Sequence, residues 1–177
     1  MKKSTFQFFC LLFVAFLSVP AVAQKTPQLS DPEIAHVAVV ANQIDIAYAA
    51  IAKEKSKDKE VLKFAETMTS DHNAVLAQAG ALVKKLNVTP KDNAVSQSYL
   101  ADAEKTKKML NEKSGVEFDK AYINNEVAYH KAVISAVETV LIPQTKNSEL
   151  KELLQNVVPA LKTHLAHAEM VQKMFAK

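Results

Sequence analysis

Five side chains set the chemical possibilities of this sequence: Asp45, His72, Glu126, His130 and His164. Each lies in a run whose apolar residues recur at helical spacing, and each occupies a place on the apolar stripe where a leucine would pack better. In "TMTSDH", His72 continues Val61, Ala65 and Met68 and is followed by Val75, Ala79, Leu82 and Leu86, in alternating steps of four and three. His164 continues Leu150, Leu154, Val157 and Leu161 and leads to Ala168, Val171 and Phe175. Glu126 and His130 stand one turn apart on a stripe with Asp119, Ile123, Val133, Val137 and Val140, and Asp45 shares a face with Ala41, Tyr48 and Ala52. Burying such groups without partners costs several kcal/mol, so they must meet one another, water or a metal. Neutral imidazole with carboxylate suits a divalent transition metal such as iron, zinc, copper or manganese.

The elements that position them are helices. Only two glycines occur in 177 residues, alanine, leucine, lysine and glutamate dominate, and no alternating β-rich run is present. "SDPE" predicts a first helix from an N-cap at Ser30, with Glu33 reaching back, to about Lys55. A second helix follows "KSKDKE" and ends near Leu86, where Asn87 and Pro90 close it. A shorter helix spans about Val95 to Asn111. "SGVE" repeats the capping spacing at Ser114 and Glu117 and opens a helix to about Ile142. A last helix runs from about Ser148 to Phe175, with Pro159 expected to bend it. Four long helices and one short one predict an all-α, antiparallel four-helix bundle. The short extra helix lies in the crossover between two hairpins, which is the ferritin-like arrangement.

At about 1.5 Å per residue, heights along the bundle follow from distance to the turns. Glu126, His130 and His164 come out nearly level about a turn near Thr145. Asp45 and His72 differ by about 7 Å about a turn near Ser56, which places Asp45 in a neighbouring layer. Asp71 could orient a neighbouring imidazole, and Asp119 and Tyr122 are supporting or structural positions. His36 is read as facing solvent, His167 as a surface or shoulder residue, and the methionines as core filler. The ferritin-type Glu-x-x-His pairs are missing, which argues against a ferroxidase centre.

The opening "MKKSTFQFFCLLFVAFLSVPAVAQ" has the anatomy of a secretory signal peptide over residues 1–23, cut before Gln24, leaving a single domain over 24–177. The expected location is the periplasm or cell envelope. The one cysteine, Cys10, leaves with the leader, so no disulfide staples the domain, and no later apolar run is read as a membrane span. With Lys2 and Lys3 removed, 20 lysines face 19 acids and there is no arginine, which is no signature of a nucleic-acid partner.

"FAETMTSDH", "GVEFDKAYINNEVAYHKAV" and "VPALKTHLAHA" resemble the three signature blocks of a bacterial family, domain of unknown function 4142. The resemblance implies an exported, ferritin-like helical bundle. Its motif positions fall on Asp71 and His72, then on Phe118, Asp119, Tyr122 and His130, and last on Pro159, Leu161 and His164. The acidic position of its first helix appears here as Asp45, shorter than the usual glutamate, and Glu126 stands outside the pattern.

Two functions fit the polar positions. The sequence favours a structural or interaction protein of the envelope, with a buried His/Asp/Glu network fixing helix register and an envelope component as partner. The alternative is transition-metal binding or sequestration by His72, His130 and His164 with Glu126 or Asp45. Nothing marks an enzyme, because no serine or cysteine nucleophile stands in a readable constellation and there is no glycine-rich phosphate loop.

Overall fold

The computed structural model describes residues 27–175. The expected leader over 1–23, the cut before Gln24 and Cys10 lie outside them. Six helices, α1 (Asp31–Lys55), α2 (Lys59–Lys85), α3 (Ala94–Asn111), α4 (Gly115–Ala136), α5 (Ile142–Gln144) and α6 (Ser148–Met174), follow one another with no strand among the described residues. Their starts obey local chemistry. Glu33 accepts from the backbone N–H and the hydroxyl of Ser30, Asp58 accepts from the N–H groups of Glu60 and Val61, and Asn93 from those of Val95 and Ser96. α2 ends in a Schellman motif: Val88 N–H reaches the carbonyl of Val83 while Asn87, at φ 51°, takes the left-handed conformation that asparagine tolerates. Ser114 precedes α4 but makes no side-chain cap, against the expected capping box, because the chain turns in through Gly115 at φ 55°.

α1 packs along α2, α4 along α6, and α2 and α1 meet α6 and α4, so the four long helices form an antiparallel cycle. α3 lies outside this cycle against α1 and α4 and carries the chain back from the end of α2 to the start of α4. One end is tied by Asp31, whose carboxylate accepts from the backbone N–H groups of Lys146 and Asn147 in the α5–α6 turn. α1 is covered by α2, α3 and α4 and is therefore apolar nearly all round. It is long and apolar enough to pass for a membrane span, which corrects the expectation that none follows the leader; here it is a core helix with Asp45 near its middle.

The structure departs from the sequence reading in α4 and in α2. The helix expected to run unbroken to Ile142 widens into a π segment at Val137–Leu141, where Ile142 N–H bonds to the carbonyl of Val137. Pro143 explains this: its ring would clash with the carbonyl four residues back, at Thr139, in a regular α-turn. The wider turn moves the buried stripe to Ile134, Val137 and Leu141, leaving Val133 and Val140 half-buried. The α2 stripe is buried at Val61, Ala65, Met68 and His72, but Val75, Ala79, Leu82 and Leu86 are only half-buried. α6 runs through Pro159 as one helix, as the sequence reading has it.

The core falls into two apolar clusters. One gathers Tyr48, Phe64, Met68, Phe118, Tyr122 and Val171, the other Ile34, Val37, Val137, Leu141, Leu150 and Leu154. Of the polar stripe positions, His72, His130 and His164 lie between the two clusters along their helices, while Asp45 and Glu126 are flanked by members of the first. Replacing Asp31 by alanine removes two charge-assisted bonds at the tied end and should cost about 1–2 kcal/mol, or about 3–6 °C in the thermal midpoint followed by circular dichroism. An unchanged midpoint would show that this tie contributes nothing.

Candidate metal centre

Each helix delivers its polar side chain for the same reason: the residue continues an apolar stripe, so the packing that buries its neighbours buries it too. Asp45 and Glu126 are 0% exposed, and His72, His130 and His164 are buried. The imidazole centroids are 5.3 Å (His72 to His164), 5.6 Å (His130 to His164) and 6.0 Å (His72 to His130) apart. Asp45 Oδ2 lies 3.2 Å from His72 Nε2 and 3.5 Å from His130 Nε2, and Glu126 Oε2 lies 3.5 Å from His130 Nδ1.

Asp45 therefore shares the layer of the histidines and is not in a neighbouring one. Residue counts give Cα heights only, and side chains lean toward each helix N-terminus. On antiparallel α1 and α2 that lean carries Asp45 away from the turn and His72 toward it, which closes the gap. It also lifts His130 level with His164 and leaves Glu126 one step farther from the α5–α6 turn. Two overlapping groups result, His72/His130/His164 and Asp45/Glu126/His130, with one candidate ligand atom per residue and all atoms of a group within 4.8 Å of one another.

The outer contacts fix how each ring is protonated. His72 Nδ1 is 2.7 Å from Asn42 Oδ1, whose amide is oriented because Asn42 Nδ2 donates to the carbonyl of Ala38. His130 Nδ1 is 3.0 Å from the carbonyl of Glu126, and His164 Nε2 is 2.9 Å from Asp71 Oδ2. All three partners are acceptors, so these nitrogens carry the hydrogens. In the neutral rings the remaining nitrogens, His72 Nε2, His130 Nε2 and His164 Nδ1, carry lone pairs, and each is buried without a hydrogen-bond partner. Both oxygens of Asp45 and both of Glu126 are in the same state.

Burial holds His130 and His164 below the ordinary imidazole range, so both are neutral near pH 7. Burial pushes the Glu126 carboxyl well above its usual range, and the charge of Asp45 adds to this. Tyr122, buried one turn before Glu126, is raised by burial and then by Glu126 and Asp45, and its hydroxyl has no partner. Asp119 is buried but lies two helical turns before Glu126, about 10 Å along α4, and belongs to neither group. His36 is half-buried, 3.7 Å from Asp92, instead of facing solvent. His167 packs edge-on to Phe64 on the shoulder of α6.

Asn42 stands one residue off the apolar stripe, so periodicity does not point to it; the amide pair Asn42-Gln43 in "AVVANQIDIA", just before Asp45, is the only signal. Asp71 is half-exposed and serves His164 across the α2–α6 interface, not its neighbour His72.

The arrangement suits a cation. A tetrahedral ion with bonds of 2.0–2.1 Å places its ligand atoms about 3.3 Å apart, and the contacts of Asp45 with His72 and His130 lie on either side of that value. Each ring is held from behind by an oxygen acceptor, the usual support of metal-bound imidazole.

Protonation makes the metal-free bundle pH-sensitive. Glu126 has its folded pKa raised above the ordinary 4.5, so the folded chain holds a proton that the unfolded chain loses as pH rises, and this group's contribution falls above pH 4.5. His130 and His164 have the opposite sign: their folded pKa values lie below 6.5, so their contribution is present above 6.5 and lost as pH falls. In chelated protein, Glu126→Gln removes only the first effect. Its stability relative to the parent, from urea unfolding at pH 5 to 8, should rise with pH by up to about 1.4 kcal/mol per unit. A difference independent of pH would contradict a protonated Glu126.

A family model described as Domain of unknown function (DUF4142) matches residues 17–171. No curated protein matches the chain, and no solved structure does.

Proposed function

The chain belongs to that family, whose description assigns no chemistry, and on the site's own geometry we propose that it binds one divalent transition metal ion. The ligands are Asp45, His72, His130 and His164, with Glu126 as an additional carboxylate. The single observation that carries this is the buried Asp45 carboxylate, whose two oxygens have no hydrogen-bond partner among the described residues while Oδ2 lies 3.2 Å from His72 Nε2 and 3.5 Å from His130 Nε2. A purely hydrogen-bonded network, the function favoured by the sequence, needs donors at these atoms; the Asn125 amide lies by Glu126, but both Asp45 oxygens and the inward nitrogens of the three rings have no hydrogen-bond partner. A positive ion satisfies all of them at once.

Three imidazoles and one carboxylate, with Asp45 near tetrahedral spacing from two of the rings, fit zinc best, with copper, iron and manganese as chemically allowed competitors. With four protein ligands the site is closed, which supports holding or sequestering metal over turning over a substrate. The up-down-down-up course of α1, α2, α4 and α6 with one long crossover supports a ferritin-like topology put to a different ligand set. The leader-like start of the sequence supports export, so the metal would be held in the periplasm, and an envelope component is the partner this reading allows.

Zinc titration against a chromophoric chelator tests it. The protein should take up one equivalent. Asp71→Asn and Asn42→Ala, which leave all ligands in place but loosen the rings of His164 and His72, should each weaken binding about 10–100-fold. Asp45→Asn should weaken it further. Uptake well below one equivalent, or affinity indifferent to Asp45→Asn in folded protein, would sink the proposal.

A further inference from the structure

The core cluster that includes Leu141, Leu150 and Leu154 is not filled. A cavity of about 80 Å³ runs between the four long helices. Its lining extends on α6 from Leu150 to His164 and on α2 from Asp71 to Val83, about 18–21 Å along each axis at 1.5 Å per residue. Small side chains leave the space, among them Ala38, Ala79, Ala136 and Val157. Polar lining gathers at the end closed by Asp45, His72, His130 and His164. Along α2 the wall is thin, because Val75, Ala79 and Leu82 are only half-buried.

Apolar cavities stay free of water, and a hydrated ion would have to give up its shell to enter one. An apolar molecule meets neither obstacle. The volume is about half that of an engineered apolar cavity that takes up benzene or xenon, so the occupant is smaller than an aromatic ring. We infer that this cavity is a binding site for an apolar diatomic gas of the size of dioxygen, and that it brings the gas to the imidazole end of the bundle. What the gas meets there rests on the metal reading; its binding in the cavity does not.

Dioxygen itself is the probe, because it is paramagnetic and speeds the relaxation of nearby methyl protons. In folded, metal-free, methyl-labelled protein, Val137, Leu154 and Leu161 line the cavity, while Val40, Ile44 and Val127 are comparably buried outside it. Under dissolved dioxygen against nitrogen, the first set should show an enhancement about threefold or more that of the second, as expected where an apolar void takes up an apolar molecule. Ala136→Leu, or Ala79→Leu on the half-buried wall, should bring the first set down to the second while zinc uptake is retained. Equal enhancement in both sets, or an enhancement unchanged in both folded variants, would overturn the inference. The relaxation contrast is measured without metal, so a failed zinc titration leaves it intact, and its own failure leaves the metal site untouched.

Discussion

A carboxylate buried at the middle of a helical bundle must be answered by positive charge or by hydrogen-bond donors, and the arrangement around Asp45 depends on that requirement. Asp45 is fully buried on the most enclosed helix, and the groups aimed at it are imidazoles whose hydrogens point elsewhere. Those hydrogens are spent on Asn42 and on the carbonyl of Glu126, and that of the third ring on Asp71. The protein thus spends outer contacts to turn lone pairs inward. Such an arrangement is costly alone and favourable around a cation.

The same layer organises the rest of the core. The cluster on the side of the α1–α2 turn is tightly built around aromatic contacts, with Phe64 edge-on to Tyr122 and Tyr122 stacked on Phe118. The other cluster is aliphatic, contains the π segment and encloses the cavity. An unfilled volume of about 80 Å³ costs about 2 kcal/mol at the usual penalty per unit of cavity. Stability is therefore carried unevenly, with the looser half reaching directly to the histidines.

Much of this was legible in the sequence because local chemistry decides it. Caps at Ser30 and Asn87 and the step of three and four along α2 and α6 give the helices and their inner faces. What escaped depends on relations between helices. The lean of side chains on antiparallel neighbours brings Asp45 level with His72, and no residue count contains it. Asp71 reaches His164 on another helix, and Asn42 stands off the stripe, so neither role follows from periodicity. The outward drift of α2 after His72 leaves its residue pattern unchanged, since half-buried valine and alanine look the same in sequence as buried ones. Pro143 was visible, but only the helix continuing around it makes a π segment in place of a break.

The central claim is that these inward lone pairs hold a metal ion. The most direct measurement is X-ray absorption at the zinc edge on protein loaded with one equivalent and passed through gel filtration. The account predicts retained zinc with about four light neighbours near 2.0 Å and the outer-shell scattering of more than one imidazole. Zinc lost on the column, or bound in a shell of oxygens without imidazole scattering, would contradict it.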